Sequence, residues 1–205
     1  MHARWADRAR LTEVPWLTDV ALWTRDRDWF RSRRETFLAR FGQRLEGLPL
    51  ALLMQLESAP EVANTRLKDA PVTLLHGDLH LDNFLFADEN EPVLLDWSRP
   101  LRGPAALNVA DLLFEMVPLA LFDEVLEEYL QTFRQQSERE ADRSAFERQL
   151  GGALLRKFAL ATCGVARWKP GSARQIEIID RGVERASRAA TFWAGRDTQL
   201  FSFLR

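Results

Sequence analysis

Apolar residues recur at intervals of three, four and seven along residues 25–46, RDRDWFRSRRETFLARFGQRLE, placing Trp29, Phe30, Phe37, Phe41 and Leu45 on one stripe. That spacing predicts an amphipathic helix, with Gly47 and Pro49 ending it. A second helical segment is expected from about Leu50 to Leu56, and Pro60 and Pro71 bracket a linker and a further short helix. The apolar run Val72 to Leu75 then reads as a buried strand. Residues 84–97, FLFADENEPVLLDW, set two short apolar arms around a polar connection, the pattern of a hairpin with a longer loop. Symmetric pairing of the arms places Phe84 against Leu95 and Phe86 against Val93. The next facing pair would be Asn83 and Asp96, with alpha carbons about 5 Å apart. From Pro104 onward the pattern is helical, over roughly 105–117, 121–139, 144–167 and 173–194. The expected fold class is mainly α with a small β-hairpin element (α+β).

The 205 residues, 46% of them hydrophobic, suffice for one domain or one large lobe of something bigger. A net charge of −2 leaves no electrostatic footprint for nucleic acid. The longest apolar segment, ALNVADLLFEMVPLALF, is broken by Asn108, Asp111, Glu115 and Pro118, so no membrane span is expected. MHARWADRAR lacks the apolar core of a signal peptide, and the single cysteine, Cys163, fits a reducing compartment as a small core residue. The cytoplasm is the expected location.

The candidate chemistry is concentrated in LLHGDLHLDNFLF, residues 74–86. If this stretch were a strand, His76, Asp78, His80 and Asp82 would share a face and could grip a transition metal, the basis of a metallohydrolase reading. That set is incomplete, because the only other histidine is His2 at the chain terminus. Phosphoryl transfer uses the same residues differently. It needs a carboxylate to take the proton of an attacking hydroxyl, and hard oxygen ligands for magnesium. The spacing His-x-Asp-x-x-x-x-Asn of His76, Asp78 and Asn83 meets the first need. Asp96, delivered beside Asn83 by the hairpin, meets the second.

HGDLHLDN followed by VLLDWS resembles the catalytic loop and magnesium-binding segment of the aminoglycoside phosphotransferase family and its choline-kinase-like relatives, which share a protein-kinase-like fold. The resemblance implies that Asp78 is the catalytic base, that Asn83 and Asp96 hold Mg2+, and that His76 buttresses the loop, with ATP as co-substrate and a small-molecule hydroxyl as acceptor. It makes His80 a polar support of the loop or a group with a direct role, Asp82 a solvated or turn-stabilising carboxylate and Trp97 a packing residue. Relatives carry an aspartate that receives loop hydrogen bonds where this chain has Asn108; Asp111, nearly one turn on, could substitute or could equally be a surface residue.

No glycine-rich strand pair and no strand lysine precede His76, since Lys68 sits at a helix end or linker. MHARW resembles the helix just after the hinge between lobes. The resemblance thus implies a single C-terminal lobe, with helices over 1–70, catalytic loop and hairpin over 71–98 and a helical substrate region over 99–205, and with the nucleotide lobe absent. Such a lobe would be inactive alone and would self-associate through its exposed surface. The alternative is a degenerate lobe kept as a binding or scaffold module. The substrate-binding residues are not assigned: Asp123, Glu124, Glu127 and Glu128 could attract a cationic acceptor or could form a solvated helix face, and Trp168, Phe192 and Trp193 could line a pocket or the core.

Overall fold

The computed structural model describes residues 1–6, 11–20, 27–44, 47–86, 92–137, 142–169 and 171–197. Its helices are α1 (Arg27–Phe41), α2 (Gly47–Met54), α3 (Ala59–Leu67), α4 (Ala105–Met116), α5 (Phe122–Ser137), α6 (Arg143–Ala166) and α7 (Ala173–Ala194). The strands are β1 (Thr18–Asp19), β2 (Val72–Leu75), β3 (Phe84–Phe86), β4 (Pro92–Leu94) and β5 (Leu101–Pro104). The chain is thus mainly helical with a small β component, as the periodicity predicts. Among the described residues no helix is long and apolar enough to cross a membrane. The expected ends of the first helix (25–26 and 45–46), the tip of the hairpin (87–91) and residues 138–139 lie outside the described residues.

Two compact units emerge, one of residues 1–21 with 69–150 and one of residues 22–68 with 151–205. In the first, β5 lies between β1 and β2, parallel to the former and antiparallel to the latter. β3 and β4 form a separate antiparallel ribbon. Leu75 on β2 and, on α4, Ala106, Leu107, Val109, Ala110, Leu113 and Phe114 are buried. α5 contributes Phe122, Leu126 and Leu130, each one turn from the last, so its other faces are left to charged residues.

In the second unit α1 buries Phe30, Phe37 and Phe41, three of the five residues of the predicted stripe. Gly47 and Pro49, expected to end that helix, instead lie in the first turn of α2. Proline is tolerated there because the amide it lacks would have no intrahelical partner. Ser172 caps α7: its Oγ accepts from Gln175 N at 3.3 Å while Gln175 Oε1 accepts from Gly171 N at 2.6 Å, a reciprocal pair at the helix start. Arg40 Nη1 donates to the Ala166 carbonyl at 2.8 Å, answering an orphan acceptor at the end of α6. Arg66 and Asp197 pair at 2.7 Å with little exposure. Cys163 is buried, and desolvation pushes its thiol up to about 12, so it is an inert core residue. Trp193, 2% exposed, is core as well.

Gly164 lies inside α6 with nothing within 4 Å of where a Cβ would stand. Gly164→Ala is expected to raise stability by about 0.5–1 kcal/mol through helix propensity alone, read as a higher urea midpoint at unchanged slope.

Candidate active site

The loop that follows β2 begins with His76, which is fully buried. Its Nε2 lies 2.7 Å from the Leu95 carbonyl, which can only accept, so Nε2 carries the proton. The same ring meets Trp97 edge to face at 4.7 Å. His76 therefore grips both chain neighbours of Asp96, and this joins the loop after β2 to the segment after the hairpin. Gly77 makes the turn possible: its φ is +84°, and a Cβ there would stand 1.9 Å from the Arg99 carbonyl oxygen. No side chain fits.

Asp78 has a side chain 46% exposed, open to an incoming molecule. Asn83, by contrast, is buried, and its Nδ2 donates to the Asp78 carbonyl at 2.8 Å and to His80 Nε2 at 3.1 Å. Both amide protons are thereby used, so the amide oxygen is the free end of the group. His80 accepts at Nε2 from that amide, and its Nδ1 lies 4.0 Å from Asp82. Asp82 itself is 96% exposed, in keeping with a solvated carboxylate.

Asp96 has φ +53°, the only non-glycine residue with positive φ among those described. Aspartate tolerates this conformation because its carboxylate bonds locally. Here Asp96 Oδ1 accepts from Ser98 N at 3.3 Å. That hydrogen bonding to Ser98, followed by the nearby His76 and His80 rings, holds the Asp96 carboxyl below the usual carboxylate range. It is ionised at neutral pH.

The predicted pairing of Asn83 with Asp96 is corrected by one residue. Phe84 faces Leu94 and Phe86 faces Pro92, and the ladder continues through Leu95 N to the Asn83 carbonyl at 2.8 Å. Asn83 therefore stands opposite Leu95, and Asp96 follows on the diagonal. The left-handed turn at Asp96 breaks the alternation of the strand and re-aims the carboxylate. The row of alternating metal ligands is not formed. Residues 81–83 are a 3-10 turn rather than strand, His76 is buried while Asp82 is in solvent, and among the described residues no cluster of three or more His, Cys, Asp or Glu is placed to hold a metal.

Magnesium fits what remains: the Asn83 amide oxygen and the Asp96 carboxylate are hard oxygen donors, suited to an ion that keeps most of its water. Asn108 is buried on α4, but its Nδ2 has no hydrogen-bond partner, so its amide does not tie the loop through that atom. Asp111 is partly exposed on the same helix. The α5 carboxylates are a solvated face: Asp123, Glu124, Glu127 and Glu128 are exposed, and Glu127 is paired with Arg143. Lys68 ends α3, as read from the sequence.

Sequence reasoning missed the Asp96 turn, although Asp-x-Ser is a legible signal for a carboxylate accepting from the amide two residues on. It also missed His2. That ring lies 3.1 Å from the Tyr129 hydroxyl through Nδ1, and burial brings its pKa down to about 4. The unfolded chain takes up this proton near the ordinary histidine value of about 6.5, so unfolding binds a proton between those limits. Stability should therefore fall as pH drops from about 6.5 to about 4, and His2→Phe should flatten that part of a stability-against-pH curve.

The loop after β2 thus carries an open Asp78 carboxylate and a pinned Asn83, and His76 joins it to the segment that holds the ionised Asp96. Residues 4–148 match the phosphotransferase enzyme family, and the chain belongs to that family. A solved structure similar to it is a candidate aminoglycoside phosphotransferase from Ralstonia eutropha JMP134, 14% identical, with a TM-score of 0.47 over 81% of this chain. This chain covers 55% of that one. No curated protein matches.

Proposed function

We propose that this chain is the catalytic and acceptor lobe of an ATP- and Mg2+-dependent kinase that phosphorylates a hydroxyl of a small molecule. The observation that carries the reading is the double clip at the loop, Asn83 Nδ2 to the Asp78 carbonyl and His76 Nε2 to the Leu95 carbonyl. Together they fix the proposed base and the two oxygen donors in one body, which is what a reaction that depends on positioning and charge neutralisation requires.

Asp78 accepts the proton of the acceptor hydroxyl as its oxygen bonds to the γ-phosphorus of ATP and the bond to the β,γ-bridging oxygen breaks, releasing ADP. Asn83 and Asp96 are the residues that would hold Mg2+, which supplies positive charge to the phosphate oxygens. His76 and His80 position these groups without touching substrate. The exposed apolar side chains of the hairpin region, Leu81, Leu85, Phe86, Val93, Leu95 and Trp97, suit contact with a nucleotide-binding lobe or, without one, with another copy.

One observation favours a second reading, a binding or scaffold module. Where relatives carry a carboxylate supporting the loop, this chain has Asn108 with an unpartnered amide nitrogen. The intact mass of the native gene product separates the two. A product heavier than 23.6 kDa by a small domain supports the kinase, whereas one of 23.6 kDa favours the binding module.

A further inference from the structure

Within the first unit a cavity of about 280 Å3 runs beneath the catalytic loop. Leu79 of the loop, Phe84 and Leu94 of the ribbon, Leu112 of α4 and Phe133 of α5 form much of its wall, and no Asp, Glu, Lys or Arg lines it. Polar residues also line it, Tyr129, Thr132 and Gln136 among them, and two more carry buried atoms without a partner. Asn108, 3% exposed, lines it with its Nδ2 unpartnered, and the buried Nε2 of His2, also a lining residue, is unpartnered too. A buried donor without an acceptor costs more than its hydrogen bond would yield, so such groups call for an occupant. The volume lies near the lower end for small-molecule pockets, whose usual design is apolar walls with a few convergent polar groups.

We propose that this cavity binds a small neutral, mostly apolar molecule carrying a hydrogen-bond-accepting oxygen, which receives the proton of Asn108 Nδ2. The mostly apolar wall has no charged side chain, so an ionic ligand would lose its hydration with no side-chain counter-charge to offset it. Asn108 sets the chemistry and the aromatic and leucine side chains set the shape. The inference is independent of phosphoryl transfer, because none of the three groups proposed for that reaction lines the cavity. Its occupant would nonetheless be felt in the loop: Leu79 stands between Asp78 and His80, and Phe84 follows Asn83.

The test uses acetophenone, which has an accepting carbonyl, and isopropylbenzene, which has nearly the same shape and no acceptor, titrated into the full chain and followed by 1H–15N NMR. Acetophenone should bind saturably, shift the Asn108 side-chain amide and the Leu79 backbone amide, and bind at least about fivefold more tightly than isopropylbenzene. Asn108→Leu should erase that preference, and Leu112→Trp, which fills the cavity, should abolish binding of both. The two-ligand comparison on the unaltered chain decides the matter even if a variant does not fold. No saturable binding, meaning that the cavity holds solvent only, would overturn the proposal. So would equal affinity for the two ligands, or acetophenone binding that survives Leu112→Trp in a folded variant.

Discussion

Asp78→Ala in the native gene product is expected to lower the rate of phosphoryl transfer by about a hundredfold to ten-thousandfold, the range over which a positioned general base acts. Affinity for Mg·ATP should stay nearly unchanged, because the Asp78 carboxylate is open to solvent and the loop is held by its backbone carbonyl, which alanine retains. Asp96→Ala should do the reverse at the binding step and weaken Mg·ATP by more than about tenfold, the low end of what losing even an outer partner of a metal ligand costs. The two variants separate base from ligand. Steady-state kinetics with nucleotide titrations on both proteins would check this, and an equal loss of nucleotide affinity in the two would contradict the assignment.

Gly77→Ala is the second large effect. The residue is held at φ +84°, where an L side chain is strained, and the added Cβ would meet the Arg99 carbonyl oxygen at 1.9 Å. The left-handed conformation costs about 1–2 kcal/mol and the forced backbone shift about 1–3 more, so a loss of about 2–5 kcal/mol is expected in urea unfolding. Because Gly77 separates His76 from Asp78, the shift should also loosen the clip between the loop and the Asp96 segment. The contrast with Gly164→Ala is diagnostic, as the same chemical change should stabilise in an open helix and destabilise in the loop. A neutral Gly77→Ala would mean that the Arg99 carbonyl does not close over this turn.

Much of the helical framework was legible in the sequence because period and packing agree. α4, α5, α6 and α7 begin and end within about two residues of the apolar patterns that announced them, the usual error at helix ends. The stop assigned at Gly47 and Pro49 failed because proline punctuates a helix only beyond its first turn, and local composition does not say on which side of a boundary it falls. The hairpin register was not legible for a related reason. Phe84, Leu85 and Phe86 face Leu94, Val93 and Pro92, apolar on both sides of the ribbon, so a shift by one residue exchanges one hydrophobic face for another and nothing in the pattern penalises it.

The candidate site divides in the same way. Asp78, Asn83 and Asp96 could be picked out because their chemistry demands those residue types at those intervals. What holds them is tertiary and left no periodic trace: the Leu95 carbonyl beneath His76, the Arg99 carbonyl over Gly77, and the sharing of the Asn83 amide between the Asp78 carbonyl and His80. The sequence placed Asn108 as a loop support through its acceptor oxygen, and the structure buries it on α4 with its amide nitrogen, a donor which that expectation did not use, unpartnered.

The central claim is that Asn83 and Asp96 form one divalent-cation site beside Asp78, and paramagnetic broadening by Mn2+ tests it most directly on the chain itself. Mn2+ shares the preference of Mg2+ for oxygen ligands. At low Mn2+ the Asn83 side-chain amide and the backbone amides of Asp96 and Ser98 should broaden first, Mg2+ should restore them, and Asp96→Ala should remove the effect. Broadening confined to the exposed carboxylates of α5, with the Asn83 amide left sharp, would contradict the claim.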